Sequence, residues 1–285
     1  MAHTTGTVDL QERYSSLVDA KLRYTIVQKN GAIWNNRYEG NPKAGAVKVP
    51  VRDTEVRVAA YNKKTGAAKS HADATFLTVT IDKDYAVNEV IDGYDADAVP
   101  DNLVADRLDS AGYSLALQMN SDGTTELVTA GTAEADTTAL TKTTVYDAFV
   151  NARKALSNKK VPLHGRFALV TPDTYALLLK SPEFIKASNL GDAVVQTGAV
   201  GQIAGFTVYE DATLNEATKG GDAVEFIVGH PDWCCRIEEW QKAVHLQGLD
   251  GSGDYIGASA VQGRKIYAHK VTKGETVIVK TKKAA

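Results

Sequence analysis

The stretch VGQIAGFTVYE at residues 200–210 carries the glycines with the best claim to a nucleotide site. A dinucleotide-binding loop needs G-x-G-x-x-G between a strand and a helix, and a phosphate-binding loop needs a Lys followed by Ser or Thr. Here Gly201 and Gly205 are separated by three residues, the Lys is missing, and the residues that follow alternate as a strand does. The spacing therefore predicts a turn that delivers a strand, not a phosphate site.

Other chemical patterns are equally incomplete. The six histidines are scattered, with no H-E-x-x-H helix and no pair at positions i and i+4. Two acid-rich stretches, residues 92–101 and 249–257, are reminiscent of calcium loops but lack the terminal carboxylate, and Val261 stands where the second would need it. No G-x-S-x-G elbow occurs. We therefore expect no enzyme, no catalytic residue, no cofactor and no dedicated metal site, with adventitious cation binding left open.

Composition narrows the class of protein further. The 32 basic and 35 acidic side chains give a net charge of -3, which excludes a generally cationic nucleic-acid coat. No apolar run reaches the roughly 18 residues of a membrane span, and the N-terminus does not read as a signal peptide. Cys234 and Cys235 are neighbours, so on a strand they point to opposite faces and suit neither a mutual disulfide nor a shared metal. The expectation is a cytoplasmic product with reduced thiols.

The first part of the chain predicts elements that need a partner surface. Residues 1–45 read as an arm with helical spacing in 8–28, followed by a Gly- and Asn-rich part anchored by Trp34 and Tyr38. Alternating apolar residues then predict a two-stranded ribbon, with strands at 47–51 (continuing through Val56 and Val58) and 77–81 and a polar tip at 62–74. Because an isolated two-stranded ribbon is marginally stable in water, these elements indicate assembly.

The remainder predicts one long helix and an α/β region. A stripe of apolar residues runs through 101–121, where Asp101 or Asn102 can cap the helix. A Gly/Thr/Ala-rich connection (122–140) leads to a second helix at 143–157. Thr171 and Pro172 then form an N-cap and first helical position after a buried strand at 166–171, and Ser181 and Pro182 repeat the device. Further strands are predicted at 206–210, 224–229, 242–247, 264–271 and 275–281.

Charge is distributed unevenly between the ribbon and the long helix. The ribbon is basic, and the segment that enters and begins the helix is acidic. One interpretation is two solvated faces. The other is that the basic ribbon of one copy lies on the acidic helix of another, which would set register and orientation. On the second interpretation the candidate inter-subunit residues, with the two arm aromatics added, are Arg52, Arg57, Lys63, Lys64, Lys69, Asp95, Asp97, Asp101, Asp106, Trp34 and Tyr38.

The order of these elements resembles the major capsid proteins of tailed bacteriophages with the Hong Kong 97 type of fold. Two phrases carry the resemblance in addition to the order. Gly201, Ile203, Gly205, Phe206 and Val208 match a G-x-I-x-G-h-x-V-y phrase of the family's axial domain. RFALVTPDTYALLLKS, at residues 166–181, is similar to the family's strand-then-helix phrase.

The resemblance implies an α+β fold with a defined division of the chain. The arm would be residues 1–45, the extended two-stranded loop 46–88, and the axial α/β domain 160–230. Residues 89–159 and 231–285 would form the peripheral domain, with the long spine helix at 101–121 and a C-terminal part that completes the peripheral sheet.

The resemblance also implies a function. The chain would self-assemble into pentamers and hexamers of an icosahedral phage head around double-stranded DNA, contacted without sequence specificity. Assembly would take place in the host cytoplasm, and the partners would include portal and decoration proteins. A scaffold would be separate or absent, because the arm and ribbon use the residues before the spine helix. Nothing in the extended loop would activate a lysine for cross-linking. An encapsulin-like protein compartment, a phage tail or adhesin component, and a stand-alone α/β enzyme are the alternatives.

Overall fold

The protein combines one long helix, three shorter helices and three sheets, as seen in a computed structural model that describes residues 21, 23–38, 45–52, 56–69, 71, 74–98, 102–182, 201–250 and 254–283. The helices of this described part are α1 (Gly93–Ala98), α2 (Leu103–Ala130), α3 (Val145–Asn158) and α4 (Pro172–Leu179). Its strands are β1 (Ala46–Arg52), β2 (Ala74–Thr80), β3 (Lys83–Asp92), β4 (Thr132–Ala133), β5 (Phe167–Val170), β6 (Gln202–Ile203), β7 (Phe206–Glu210), β8 (Thr218–Lys219), β9 (Asp222–Gly229), β10 (Cys234–Gly248), β11 (Ala258–Val271) and β12 (Ile278–Lys282). Among the described helices, none is both long and apolar enough to cross a bilayer.

The long helix α2 covers one face of an antiparallel sheet with the strand order β10-β11-β3. Residues along β3 alternate between a more buried and a more exposed face. On the buried face, Ile91 and Val261 pack with Ala111, Val104 and Leu108 of the helix. These three helix residues belong to the predicted apolar stripe, so the stripe is confirmed as the face that packs on the sheet.

The helix α2 is longer than the sequence predicts. Its start agrees, with the side chain of Asn102 accepting a hydrogen bond from the Ala105 amide. Its end lies at Ala130 instead of residue 121, so the expected connection at 122–140 is wrong over its first nine residues. Gly123, Thr124 and Thr125 are poor helix formers, but Leu127 and Val128 in the next turn are buried in a core cluster. Tertiary packing therefore extends the helix through a stretch of low propensity.

The larger sheet has the order β4-β12-β9-β5-β7-β6, with β8 paired to β9. Strands β5 and β7 are parallel, and α3 and α4 pack with the sheet in one core cluster. Phe149 of α3 stacks on Phe226 of β9 at 4.4 Å between ring centroids. Before α4, the Thr171 side chain accepts a hydrogen bond from the Thr174 amide and Pro172 follows at the first position, as predicted.

The C-terminal strand β12 lies in this larger sheet. It pairs antiparallel with β9 and parallel with β4. The expectation that residues 231–285 as a whole complete a peripheral sheet is therefore corrected for β12, while β10 and β11 do pair with β3. The alternation in residues 275–281 predicts a strand but carries no information on its partner. The division into peripheral and axial domains stays a prediction.

The ribbon consists of β1, β2 and their connection. The two strands pair antiparallel from Ala46 opposite Thr80 to Arg52 opposite Ala74. The expected continuation of the first strand through Val56 and Val58 is wrong, because residues 56–61 form no strand and both side chains are exposed. Most of the expected arm helix at 8–28 and of the helix expected after Pro182 lies outside the described residues; residues 23–28 are not helical.

The turn predicted from the two glycines is confirmed. Gln202 and Ile203 pair with Thr207 and Phe206, which leaves a two-residue hairpin turn. Its central residues, Ala204 and Gly205, have φ of 47° and 83°. Positive φ at both positions is the type I′ geometry, which matches the twist of the flanking strands and favours Asn-Gly.

This turn generates a first prediction. Ala204→Gly should raise the free energy of unfolding by up to about 1 kcal/mol, because it removes a Cβ from the left-handed region. Gly205→Ala should lower it by roughly 1–2 kcal/mol for the same reason, and its Cβ would also stand 3.1 Å from the Arg153 guanidinium. Urea unfolding of both variants against the parent measures the effect, and the opposite order of stabilities would contradict the assigned turn.

Candidate assembly surfaces

The described residues bring together no metal or catalytic cluster. No group of three or more His, Cys, Asp or Glu side chains in this part of the chain could hold a metal ion. An open groove of about 560 Å³ runs between Tyr24, α2 and residues 212–217, and Glu216 is the single charged residue in its lining. The rest of the lining is rich in hydroxyl groups, from Tyr24, Tyr113 and the Ser and Thr residues of α2. The residues predicted to contact other subunits lie in the arm, the ribbon and the acidic segments.

The arm lies along α2 and pairs with its carboxylates. The ammonium group of Lys21 forms an ion pair with Asp106, and its Nζ donates to Ser110 Oγ at 2.5 Å. Arg23 forms a 2.5 Å ion pair with Asp109 and sits over the ring of Tyr113 at 5.3 Å. Two acidic side chains of the long helix thus have a cationic partner within their own chain.

A buried polar network continues this contact into the larger sheet. The Asp211 carboxylate, fully buried after β7, accepts hydrogen bonds from Gln28 Nε2 at 2.9 Å and Asn120 Nδ2 at 3.2 Å. It also accepts one from the Thr213 amide at 2.9 Å. Gln28 Nε2 donates to Thr124 Oγ1 at 2.6 Å as well. Donors from the arm, from α2 and from the turn after β7 therefore meet at one carboxylate, as a buried charge requires.

The neighbouring Tyr24 responds to the same carboxylate. Its hydroxyl donates to the Glu210 carbonyl at 3.0 Å, and its amide donates to Tyr113 Oη at 2.8 Å. Burial, and next the charge of Asp211, raise the pKa of the Tyr24 phenol well above its usual range. The phenol is therefore a fixed hydrogen-bond donor at the end of the arm contact.

Trp34 anchors the arm within its own chain. The indole is fully buried, and its Nε1 donates to Gln28 Oε1 at 3.0 Å. It packs on Gly123 of α2, where an added Cβ would come within 3.1 Å of the ring. The ring of His269 lies 4.5 Å from it, and the Arg236 guanidinium 5.6 Å. The indole has no exposed surface in this chain. Its role as a contact between subunits stays a prediction.

Arg236 and His269 form an unusual buried pair beneath this indole. Arg236 Nε donates to His269 Nε2 at 2.9 Å, so that nitrogen carries no proton. Burial, reinforced by the charge of Arg236, lowers the pKa of His269 to about 2. Burial also lowers the pKa of Arg236 to about 10, which leaves it cationic at neutral pH. His269 is thus a neutral hydrogen-bond acceptor for Arg236, and it packs against Trp34 of the arm.

The predicted contact residues lie on several different elements of the structure. Arg57, Lys63, Lys64 and Lys69 are exposed in the ribbon connection, and Arg52 ends β1. Asp95 and Asp97 are exposed on α1, whereas Asp106 pairs with Lys21 and Asp101 lies outside the described residues. Tyr38 is half-buried and packs at the ribbon base with Val49 and Val79. Among the described residues, no ion pair joins the basic side chains of the ribbon to the acidic side chains of α1 or α2.

The residues that sequence reasoning missed are Gln28, Asn120 and Asp211. They are separated by about ninety positions each, and single polar residues at such distances form no pattern. One signal was present in the sequence. Gly123 stands two residues after the predicted end of the helix, and a glycine at a helix often marks a close approach of another element. Here that element is Trp34.

Comparisons with known proteins agree with this fold. A family model for phage capsid proteins, described as "Phage capsid protein", matches residues 80–254, more than half of the chain. A chain from Mycobacterium phage Che8 superposes with a TM-score of 0.78 at 19% identity, covering 96% of this chain and 98% of that one. The capsid structure of Cyanophage P-SCSP1u superposes with a TM-score of 0.77 at 13% identity, covering 96% of this chain and 93% of that one. The mature capsid of bacteriophage PhiM1 superposes with a TM-score of 0.73 at 15% identity, covering 95% of this chain and 91% of that one. No curated protein matches the chain.

The Trp34 contact generates a second prediction, with a matched control in the same helix. Gly123→Ala should lower the free energy of unfolding by about 1–3 kcal/mol, because its Cβ would overpack the indole and the buried Gln28 amide. Gly112→Ala should raise it by up to about 1 kcal/mol, since no atom lies within 4 Å and alanine favours a helix. Urea unfolding followed by tryptophan fluorescence measures both. Equal effects at the two positions would rule out the packing account.

The buried histidine generates a third prediction, on pH. Below its unfolded pKa of about 6.5 the unfolded chain binds a proton that native His269 refuses, so stability falls as pH falls, by about 1.4 kcal/mol per pH unit. His269→Gln keeps an acceptor for Arg236 but does not titrate. Between pH 7.5 and pH 5.5 the parent should therefore lose about 1.4 kcal/mol more stability than the variant. Parallel pH profiles would show that the histidine is not held neutral.

Proposed function

This chain belongs to the phage capsid protein family, and we propose on that premise that it builds an icosahedral phage head from pentamers and hexamers and encloses double-stranded DNA. The match of the family model to residues 80–254 carries the proposal. The chain is a structural protein that self-assembles into a shell, and its place is the head of the virion. The family match does not favour an encapsulin-like compartment or a tail component.

The ribbon is the element that we assign to contacts between copies. Its connection exposes Val56, Val58 and Tyr61 to 82%, 96% and 75% of their surface. Clustered apolar side chains of this size on a protein surface mark an interaction site. Its base is fixed to the subunit, because Val49 and Val79 are buried against Ile237. A ribbon that is rigid at its base and apolar at its exposed end suits a reach to a neighbour.

The same proposal includes the finer assignments. The arm is residues 1–45, the extended loop 46–88, the axial domain 160–230, and the peripheral domain 89–159 with 231–285, from which β12 departs to pair with β9. The partners beyond other copies are a portal, a separate scaffold, decoration proteins and packaged DNA, with assembly in the host cytoplasm. A net charge of -3 supports DNA contacts that are few and not sequence-specific, since each phosphate contact by Lys or Arg adds affinity.

The fourth prediction tests the ribbon. Reversing the exposed charges by Arg57→Glu, Lys63→Glu and Lys64→Glu should leave the subunit folded and abolish normal shells, because like charges then meet across the contact. Electron microscopy of the purified protein, alone and with a scaffold supplied, checks shell formation, and circular dichroism checks folding.

The matched control reverses three exposed lysines on or near α3, by Lys142→Glu, Lys154→Glu and Lys159→Glu. It changes the net charge by the same amount away from the ribbon, so shells should form. Normal shells from the ribbon variant would overturn the assignment of the ribbon. Parent protein that stays monomeric under every condition would overturn the shell-forming function itself.

A further inference from the structure

The carboxylates of the long helix are not the surface that the basic ribbon needs. Asp106 and Asp109 pair with the chain's own arm, and Glu89 accepts both the Nε and the terminal nitrogen of Arg107 at 2.9–3.0 Å. Each of these carboxylates already has a cationic partner within its own chain. An acceptor for the ribbon must therefore lie elsewhere, among acidic side chains that no cation of the described chain meets.

Such a surface exists at one end of the three-stranded sheet, and we call it the acidic corner. It consists of the end of β3, the helix α1 and, from the connection between β10 and β11, residues 249–250 and 254–257. An added Cβ at Gly93 would stand 2.2 Å from the Gly257 carbonyl oxygen, which shows how tightly the two segments meet. Tyr94 and Ile256 are 81% and 92% exposed there, and Tyr255 is 46% exposed. The corner is thus first of all an uncovered apolar patch.

Exposed carboxylates lie on the same segments as these apolar side chains. No Lys or Arg occurs in residues 84–106 or 246–257. Asp92 and Asp250 also fix the local backbone by accepting from the amides of Tyr94 at 2.8 Å and Gly257 at 2.7 Å. The exposed acidic side chains of the corner are Asp92, Asp95, Asp97, Asp250 and Asp254.

The ribbon tip, defined as residues 56–69, is the complement in both respects. It exposes Val56, Val58 and Tyr61, and it contains four cationic residues and no Asp or Glu. Among the described residues, none of the carboxylates forms an ion pair with Arg57, Lys63 or Lys64. The ribbon tip thus combines exposed apolar side chains with cations, and the acidic corner combines exposed apolar side chains with anions. The two surfaces are complementary in charge and can bury each other's apolar side chains.

We infer that the ribbon tip of one copy docks on the acidic corner of a second copy. Within one chain both surfaces stay exposed, so they do not cover each other and a second copy must supply the partner. Burying the apolar side chains contributes the affinity, while the opposite charges set register and discourage contacts between two tips or two corners. The inference rests on the proposed function, because it names the partner surface of the ribbon in the shell.

A charge-swap series tests the contact. The tip variant carries Lys63→Glu and Lys64→Glu, the corner variant carries Asp95→Lys and Asp97→Lys, and a third variant carries all four changes. Each double variant should lower shell yield at least roughly tenfold, and the fourfold variant should restore it, since a reversed tip then meets a reversed corner. Control variants Lys154→Glu and Lys159→Glu should assemble as the parent does.

The outcomes are decisive when each variant is first shown to fold by circular dichroism. Rescue in the fourfold variant supports the contact. Normal shells from the corner variant, or a folded fourfold variant that still fails to assemble, overturns it and points to another partner for the corner. Failure of the parent protein to form shells would instead contradict the proposed function, so the two failures are distinguishable.

A cross-linking measurement does not depend on charge changes. Cys234 and Cys235 are both buried, so they leave introduced thiols as the reactive ones. In shells of a Val58→Cys, Ile256→Cys variant, a short reagent with two thiol-reactive ends should join chains into dimers and higher ladders. A Val58→Cys, Val150→Cys variant is the control, because Val150 is also exposed but lies on α3. Equal cross-linking in the two variants, or none in the first, overturns the contact.

Discussion

The buried carboxylate of Asp211 is the constraint on which the rest of the subunit depends. A charge away from water needs hydrogen-bond donors, and here they come from Gln28 in the arm, Asn120 in the long helix and Thr213 in the following turn. Hydrogen bonds to a charged group contribute about 1.5–3 kcal/mol each, and losing one leaves the charge exposed to an apolar interior. These hydrogen bonds therefore fix the arm, the long helix and the larger sheet in one arrangement relative to each other.

The arm and the ribbon have different roles in this arrangement. The arm covers its own helix from Lys21 to Trp34, and its cations neutralise the helix carboxylates Asp106 and Asp109. In the described part of the ribbon no such ion pair lies beyond the base, and the apolar and basic side chains of residues 56–69 are exposed to solvent. In such a subunit the arm, the long helix and the sheets are packed together before assembly, while the ribbon is exposed. The ribbon can therefore bind a neighbour without refolding the rest of the subunit.

The sequence predicted what short-range patterns encode. The ribbon strands, the helix start at Asn102, the Thr171–Pro172 cap and the turn before Phe206 all follow from spacing and local capping, and each is confirmed. The end of the long helix and the partner of the last strand were missed, because burial of Leu127 and pairing with β9 depend on residues far away in the chain. The Asp211 network has the same origin. Single polar residues that meet across long separations leave no periodicity to detect.

Hydrogen exchange measured on the free subunit and on assembled shells tests the central claim most directly. The account predicts that amides of residues 29–35, several of which are bonded to the arm's own turn or to Cys234, are protected in both states. Residues 56–69 should exchange freely in the subunit and become protected on assembly. Free exchange of residues 29–35 in the folded subunit, or equal protection of residues 56–69 in both states, would contradict the division between a docked arm and a reaching ribbon.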